Sequence, residues 1–200
     1  MKTLCLGGSF NPIHHGHLIC ARSVAESDGF DKILLIPSRQ PPHKPQNELA
    51  DASDRLTMCR LAIESANVVG SVSFEISDIE INRPGPSYTI DTVRQMQKLG
   101  MPQVYWLIGA DMLNFLPKWH QPAALLREAN FVIIERPGIA IEWNALPAEF
   151  IPLKKNLVQA PRIDISSSDI RRRIAMSHSI DYLTPPAVVA YINAHGLYRT

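Results

Sequence analysis

No charge of either sign dominates this chain: 20 lysines and arginines stand against 19 aspartates and glutamates over 200 residues, a net charge of +1. Such a balance supplies no bulk field to attract nucleic acid or an anionic membrane, and neither is expected as a partner. Long apolar runs are missing too. None approaches the roughly 20 residues of a bilayer span, and the apolar part of MKTLCLGG is too short for a secretion signal. The expected location is therefore the cytoplasm. Cysteine is scarce and odd in number: Cys5, Cys20 and Cys59 show no CxxC spacing and sit among apolar neighbours, where a free thiol acts as a small core residue. Internal repeats and low-complexity tracts are absent as well, which leaves one ordinary domain over residues 1–200.

What the chain does contain is alternation. Short β-branched or apolar runs recur at Thr3–Leu6, Lys32–Ile36, Val72–Ile76, Val104–Ile108 and Phe131–Ile134, each followed by a loop and helix-like periodicity. That order predicts an α/β protein with an open parallel sheet and crossover helices. Leu56, Cys59, Ile63 and Ala66 keep one helical face after a Ser53 cap, and Ser87–Leu99 ends at Gly100. The last helix is marked by Thr184 as its cap, Pro185 and Pro186 in its first turn, and Gly196 beyond it. Arg39–Leu49, RQPPHKPQNEL, is proline-rich and polar, a long loop suited to a lid.

The densest chemistry follows the first run, in Gly7–Leu18, GGSFNPIHHGHL. In open parallel sheets the loop after the first strand commonly carries phosphate contacts. Gly7 and Gly8 would let the backbone turn and approach a ligand, while Ser9 and the following amides offer donors to an anion. His14 and His17 lie three apart at the start of a helix that buries Leu18, Ala21 and Ala25, so both can face one anion at its positive end. The string does not fit GxGxxG, and no stretch fits GxxxxGK[ST]. Zinc ligation by His14, His15 and His17 is an alternative, but no Asp, Glu or Cys partner motif lies near; solvated loop histidines are another.

Near the other end, Ser166, Ser167 and Ser168 precede a short helix and offer a second helix-end anion site. Arg171, Arg172 and Arg173 are expected in its first turn, the unfavourable end of the dipole for cations unless an anion compensates them. Lys44 sits on the proline-rich loop, where a cation can close over phosphate or simply stay solvated. Asp111 follows the fourth strand, placed to accept ribose hydroxyls or to cap a helix. Trp119 lies past a proline that interrupts the helical pattern, which suits an exposed or loop-borne indole able to stack on a flat ring, with core packing an equal alternative; Trp106, inside an apolar strand, reads as core.

These residues resemble a family. Gly7–His17 is similar to the first motif of the HxGH nucleotidyltransferases, whose two histidines, here His14 and His17, contact the triphosphate of ATP. ISSSDIRRRI at Ile165–Ile174 is similar to that superfamily's second signature, ISST followed after one residue by IR. Within the superfamily, PSRQPPHK, DRLTMCRLA, RPGPSYTIDT, LIGADMLNFLPKWH, ERPG and YLTPPAVVAYINAHGLY resemble the bacterial nicotinate-nucleotide adenylyltransferases over nearly the whole chain. The departures are Ser9 and Ser168 for threonine and Asn11 for aspartate, of which only Asn11 removes a charge.

The resemblance implies a Rossmann-like nucleotidyltransferase fold with helices on both faces of the sheet. It implies transfer of the adenylyl group of ATP to nicotinate mononucleotide, giving nicotinate adenine dinucleotide and pyrophosphate in NAD biosynthesis. His14, His17 and Arg171 would be catalytic. Gly7, Gly8, Ser9, Phe10, His14, His17, Gly109, Asp111, Ile165, Ser167, Ser168 and Arg171 would bind ATP. Ser9, Lys44, Thr89, Asp111, Trp119 and His120 would meet the mononucleotide, with Trp119 on the ring and the backbone amides of Thr89 and His120 on its carboxylate. Mg²⁺ would be held mainly by ATP phosphates, with no protein metal site. Another adenylyl- or cytidylyltransferase of the superfamily, or a catalytically silent nucleotide-binding regulator, are the rival readings, and assembly into a homo-oligomer stays open.

Overall fold

Every apolar run becomes a strand because its successive residues find a core on both sides. The computed structural model describes residues 1–64, 72–135 and 141–199. Six strands, β1 (Thr3–Gly8), β2 (Lys32–Pro37), β3 (Ser73–Ile76), β4 (Tyr105–Gly109), β5 (Asn130–Ile134) and β6 (Leu157–Val158), form one parallel sheet in the order β3-β2-β1-β4-β5-β6. β6 is missing from the sequence reading because a two-residue strand carries no periodicity of its own.

Residues of opposite parity enter opposite cores. Leu4, Ile33, Leu35, Leu107 and Val132 meet α1 (His15–Ser27), α2 (Ala52–Glu64), α6 (Ser167–Ala175) and α7 (Pro186–Ala194) on one face. Cys5, Leu34, Ile36, Trp106, Ile108 and Ile133 meet α3 (Thr89–Lys98), α4 (Ala110–Leu113) and α5 (Pro122–Glu128) on the other. A sheet covered on both faces needs continuous apolar strands, and KILLIP and NFVII supply them. The fold is the Rossmann-like α/β architecture.

The strand order also fixes where a ligand can sit. From β1 the chain winds outward to β2 and β3, then returns to β4 on the other side and winds the opposite way, so β1 and β4 flank the switch point. β1 pairs with β2 from Thr3 to Gly8, whereas its pairing with β4 covers Leu4–Tyr105 and Cys5–Trp106 and stops there. The carboxyl ends of β1 and β4 are thus left to the loops that follow them.

Several local expectations are revised. Gly7 and Gly8 continue β1, and the sharp backbone feature comes at Phe10, with φ 45°. Gly7 answers a packing demand: a Cβ there would lie 2.4 Å from the Trp106 ring, closer than any real contact. α2 begins at Ala52, before the expected Ser53 cap, and Ala66 lies outside the described residues, as do Arg136, Pro137 and Gly138 of ERPG. Pro185 is the N-cap of α7. Thr184 is instead fully buried with its hydroxyl donating to the Ile13 carbonyl at 2.8 Å, so it serves the first loop and not the helix. Arg171 falls at the middle of α6 and Arg172 and Arg173 in its last turn, where cations suit the dipole, because the helix starts as early as Ser167.

Candidate active site

The loop Ser9–His14 is held by its carbonyls. Ser9 O accepts Arg55 Nη1 at 2.7 Å, Asn11 O accepts Arg171 Nη1 at 2.9 Å, Pro12 O accepts the Ser167 hydroxyl at 2.8 Å, and Ile13 O accepts that of Thr184. Four donors from α2, α6 and the approach to α7 thus take the negative ends of the loop's peptide dipoles. The two sequence motifs meet here, 155 positions apart at the Pro12–Ser167 bond.

α1 begins at this loop. His14 is its N-cap and His17 its third residue; the His14 amide donates to His17 Nδ1 at 3.3 Å, and the rings stack with centroids 3.7 Å apart. Phe10 meets the His17 ring edge-on at 5.2 Å and is 2% exposed, which supports the imidazole from below. Gly16 makes room for this stack, since a Cβ there would lie 3.0 Å from His14 Nδ1. Both imidazoles stand at the positive end of α1, where the helix dipole favours an anion.

Cations converge on the same place. Lys44 Nζ donates to Ser9 Oγ at 2.9 Å, so the Arg39–Leu49 loop lies folded down over the first loop. Burial, followed by repulsion from Arg171 and Arg55, pushes the Lys44 ammonium below the ordinary lysine range, and Glu48 opposes the shift only in part. Ser166 caps α6 by accepting the Asp169 amide at 3.1 Å, and Arg172 pairs with Asp169, so these two are taken by the helix itself. Ser168 Oγ faces Arg171 Nη2 at 3.5 Å, and Ile165 packs against the first core.

At the carboxyl end of β4, Gly109 is the N-cap of α4 and Asp111 lies in its first turn, so Asp111 does not cap that helix. Farther along the crevice, Thr89 opens α3 behind Tyr88, and the Tyr88 ring stacks on His120 with centroids 4.2 Å apart. Trp119 is half-buried against the second core, and its buried indole Nε1 has no hydrogen-bond partner among the described residues. Thr89, Trp119 and His120 therefore come together through the Tyr88–His120 stack.

Arg55 is the largest omission of the sequence reading. It is 1% exposed and donates to four carbonyls: Ala50 (2.9 Å), Ser9 (2.7 Å), Ser38 (2.6 Å) and Arg39 (3.0 Å). It joins the first loop to both ends of the lid, with no carboxylate at hydrogen-bond distance among the described residues. A signal existed: Arg55 lies four and seven residues before Cys59 and Ala62, on the buried face of α2. Asn11 acts similarly, accepting from the Ala50 amide (3.0 Å) and Tyr198 Oη (2.9 Å) and donating to Glu48 O (2.9 Å). A neutral amide, able to donate and accept, meets this demand.

The cytidylyltransferase-like family matches residues 5–173. The chain is 44% identical over 196 residues to a protein of Roseiflexus sp. (strain RS-1) named probable nicotinate-nucleotide adenylyltransferase, covering 97% of this chain and 96% of that one. A protein of Geobacillus kaustophilus (strain HTA426) with the same name is 39% identical over 193 residues, 96% of this chain and 83% of its own. This chain belongs to the nicotinate-nucleotide adenylyltransferase family. The nicotinic acid mononucleotide adenylyltransferase of Plasmodium falciparum complexed with NaAD shares the fold, with a TM-score of 0.76 at 22% identity over 99% of this chain and 98% of that one. Among the described residues of this nicotinate-nucleotide adenylyltransferase family member, no group of three or more His, Cys, Asp or Glu is arranged to hold a metal ion. No described helix is long and apolar enough to cross a membrane.

Proposed function

We propose that the chain transfers the adenylyl group of ATP to nicotinate mononucleotide, forming nicotinate adenine dinucleotide and pyrophosphate. The observation that carries this reading is the cluster of Lys44, Arg171 and Arg55 around a histidine-bearing helix start, a concentration of positive charge suited to a triphosphate. The β1–β4 switch point is where such folds take nucleotides.

A mononucleotide phosphate is largely dianionic at pH 7, with a second pKa of about 6, so the nucleophile needs no general base. Its oxygen attacks the α-phosphorus of ATP, and the bond from that phosphorus to the α,β-bridging oxygen breaks with its electron pair leaving on pyrophosphate. The protein's work is positioning and charge stabilisation. His14 and His17 donate to the triphosphate from the α1 start, Arg171 adds a cation from α6, and Lys44 closes from the lid. Gly7, Gly8, Ser9 and Phe10 shape the phosphate loop; Gly109 and Asp111 at the β4 edge meet ribose, and Ile165, Ser167 and Ser168 frame the triphosphate side. Mg²⁺ fits as an ion held by phosphate oxygens, because the loop presents cations, imidazoles and hydroxyls in place of a carboxylate cage; it supplies charge neutralisation.

At the other end, Trp119 stacks on the pyridine ring, and the Thr89 and His120 amides meet its carboxylate. A carboxylate accepts from both amides, whereas a carboxamide presents an NH₂ to one of them. Mispairing costs about 1–3 kcal/mol, so the acid is expected to be favoured at least about tenfold in kcat/KM. The test is pyrophosphate release from ATP with nicotinate and nicotinamide mononucleotides side by side. Equal rates would make the enzyme dual-specific, a preference for the amide would assign it to the rival branch, and no release with either would favour the regulator.

A further inference from the structure

Behind the pyridine end of the crevice lies a carboxylate that the reaction itself does not use. Glu80 is 3% exposed and accepts the Thr92 hydroxyl at 2.6 Å; the Ser87 hydroxyl also hydrogen-bonds to it. Arg83 stands beside them, donating to Thr92 Oγ1 at 2.9 Å, Gln95 Oε1 at 3.2 Å and Tyr88 O at 3.4 Å. Ser87 Oγ in turn accepts the amides of Arg39 (3.0 Å) and Gln40 (3.2 Å), and the Ser87 amide donates to Gln40 O (2.9 Å). Glu80 thus grips hydroxyls on either side of Tyr88 and Thr89, and one of those hydroxyls carries the start of the loop that bears Lys44.

Counting protons fixes the chemistry required at position 80. A hydroxyl has one proton and two lone pairs. Both lone pairs of Ser87 are taken by the Arg39 and Gln40 amides, so its proton needs an acceptor. Thr92 Oγ1 accepts from Arg83 with one lone pair, and its proton goes to Glu80 at 2.6 Å, with the Tyr88 carbonyl the longer alternative at 3.3 Å. An ionised carboxylate accepts from both: burial raises the Glu80 carboxyl above its ordinary range, and the Thr92 hydroxyl, the Arg83 charge and the Ser87 hydroxyl oppose that rise by favouring the ionised form. A carboxamide can accept from only one of them: toward Ser87 its NH₂ meets a hydroxyl with nothing left to accept with, and toward Thr92 it turns the hydroxyl proton to Tyr88 O at 3.3 Å, so the short Thr92–Glu80 bond that holds α3 is replaced.

We propose that Glu80, as an ionised carboxylate, is a positioning residue for both substrates: through Ser87 and Thr92 it sets the Thr89 amide against the pyridine carboxylate and anchors the Arg39–Gln40 start of the lid. Acid recognition and lid placement are then one mechanical unit. The proposal rests on the pocket reading given above.

Glu80→Gln, which keeps the side-chain volume, separates the possibilities. In the wild type the acid should be favoured at least about tenfold; in E80Q the acid-over-amide ratio should fall to within about threefold of unity, through a raised KM for nicotinate mononucleotide with the amide's KM little changed. A merely structural role would lower both substrates together and leave the ratio alone. Retention of the wild-type ratio by folded E80Q overturns the Glu80 proposal and spares the pocket; absence of acid preference in the wild type overturns both. Ser87→Ala provides a second arm, cutting the lid tie while leaving the carboxylate. Combined with Lys44→Ala, it should cost no more than about twofold in kcat/KM for nicotinamide mononucleotide, which carries no acid for the Thr89 amide to read, beyond Lys44→Ala alone, because each removes the same lid function. Full additivity overturns the link to the lid.

Discussion

The two ends of the crevice are built on opposite principles. At the phosphate end, cations are spent on carbonyls: Arg55 and Arg171 hold the first loop by its oxygens, and Lys44 rests on a hydroxyl. At the end proposed for the pyridine ring a buried carboxylate, Glu80, holds hydroxyls, and the groups beside it are aromatic rings and a helix start. A triphosphate brings several negative charges that must be met by charge, whereas a pyridine acid brings a flat ring and a single carboxylate that must be met by shape and two aligned amides. The first end gains from uncompensated positive potential. The second needs a fixed geometry, which the hydrogen-bond network around Glu80 provides.

Variants should expose that contrast. The largest expected effect is Arg55→Met, which strips donors from four carbonyls; a buried unsatisfied acceptor costs about 1–3 kcal/mol, so a loss of at least about 3 kcal/mol is expected in denaturant unfolding. Full stability would show that water replaces the guanidinium and that Arg55 holds nothing. Next, His17→Ala should keep a native melting temperature but lose about 100- to 1000-fold in kcat, roughly 2.7–4 kcal/mol, because the imidazole meets charge that grows in the transition state. Near wild-type turnover would remove His17 from the mechanism.

Arg171→Ala sharpens the division of labour. A hydrogen bond to a charged group is worth about 1.5–3 kcal/mol, so ATP kcat/KM should fall at least about tenfold while calorimetry finds nicotinate mononucleotide binding little changed. Trp119→Ala should do the reverse of selecting between rings: base stacking is worth about 1–3 kcal/mol, lost by acid and amide alike, so their ratio should survive. A ratio that collapses with the indole would move recognition of the acid from the amides to Trp119.

The smallest effect concerns pH. The Lys44 ammonium is held below the ordinary lysine range, and only its protonated form attracts phosphate, so affinity for the mononucleotide should decline as pH rises through that lowered value. Lys44→Met should flatten this alkaline limb in a titration from pH 7 upward. A limb that persists belongs to another group.

The separate pieces of both ends were legible for different reasons. KILLIP and VYWLIG announce buried strands by composition, and the first loop concentrates glycine, histidine and a serine in a pattern with few other uses. Arg55 was hidden because a lone arginine in a helix normally reads as solvated, and Glu80 because a carboxylate between Ile79 and Ile81 has no local mark of burial. Thr184 looked like a helix cap since a threonine before two prolines has that local signature, yet its hydroxyl finds Ile13 O instead. In α6 the start of the helix was placed too late by sequence, and that displacement alone put the arginines at the wrong end of the dipole.

The sequence by itself determined the parallel α/β class, the glycine- and histidine-rich loop proposed to take phosphate, and the second motif at Arg171, because hydrophobic period and residue chemistry act over short stretches. Only the tertiary structure decided that Arg55, Thr184 and Ser167 hold that loop by its carbonyls, and that Glu80 ties α3 to the lid. Those bonds join residues 12 to 171 positions apart, and the partner that satisfies a buried polar group is chosen by which segments the sheet order brings together.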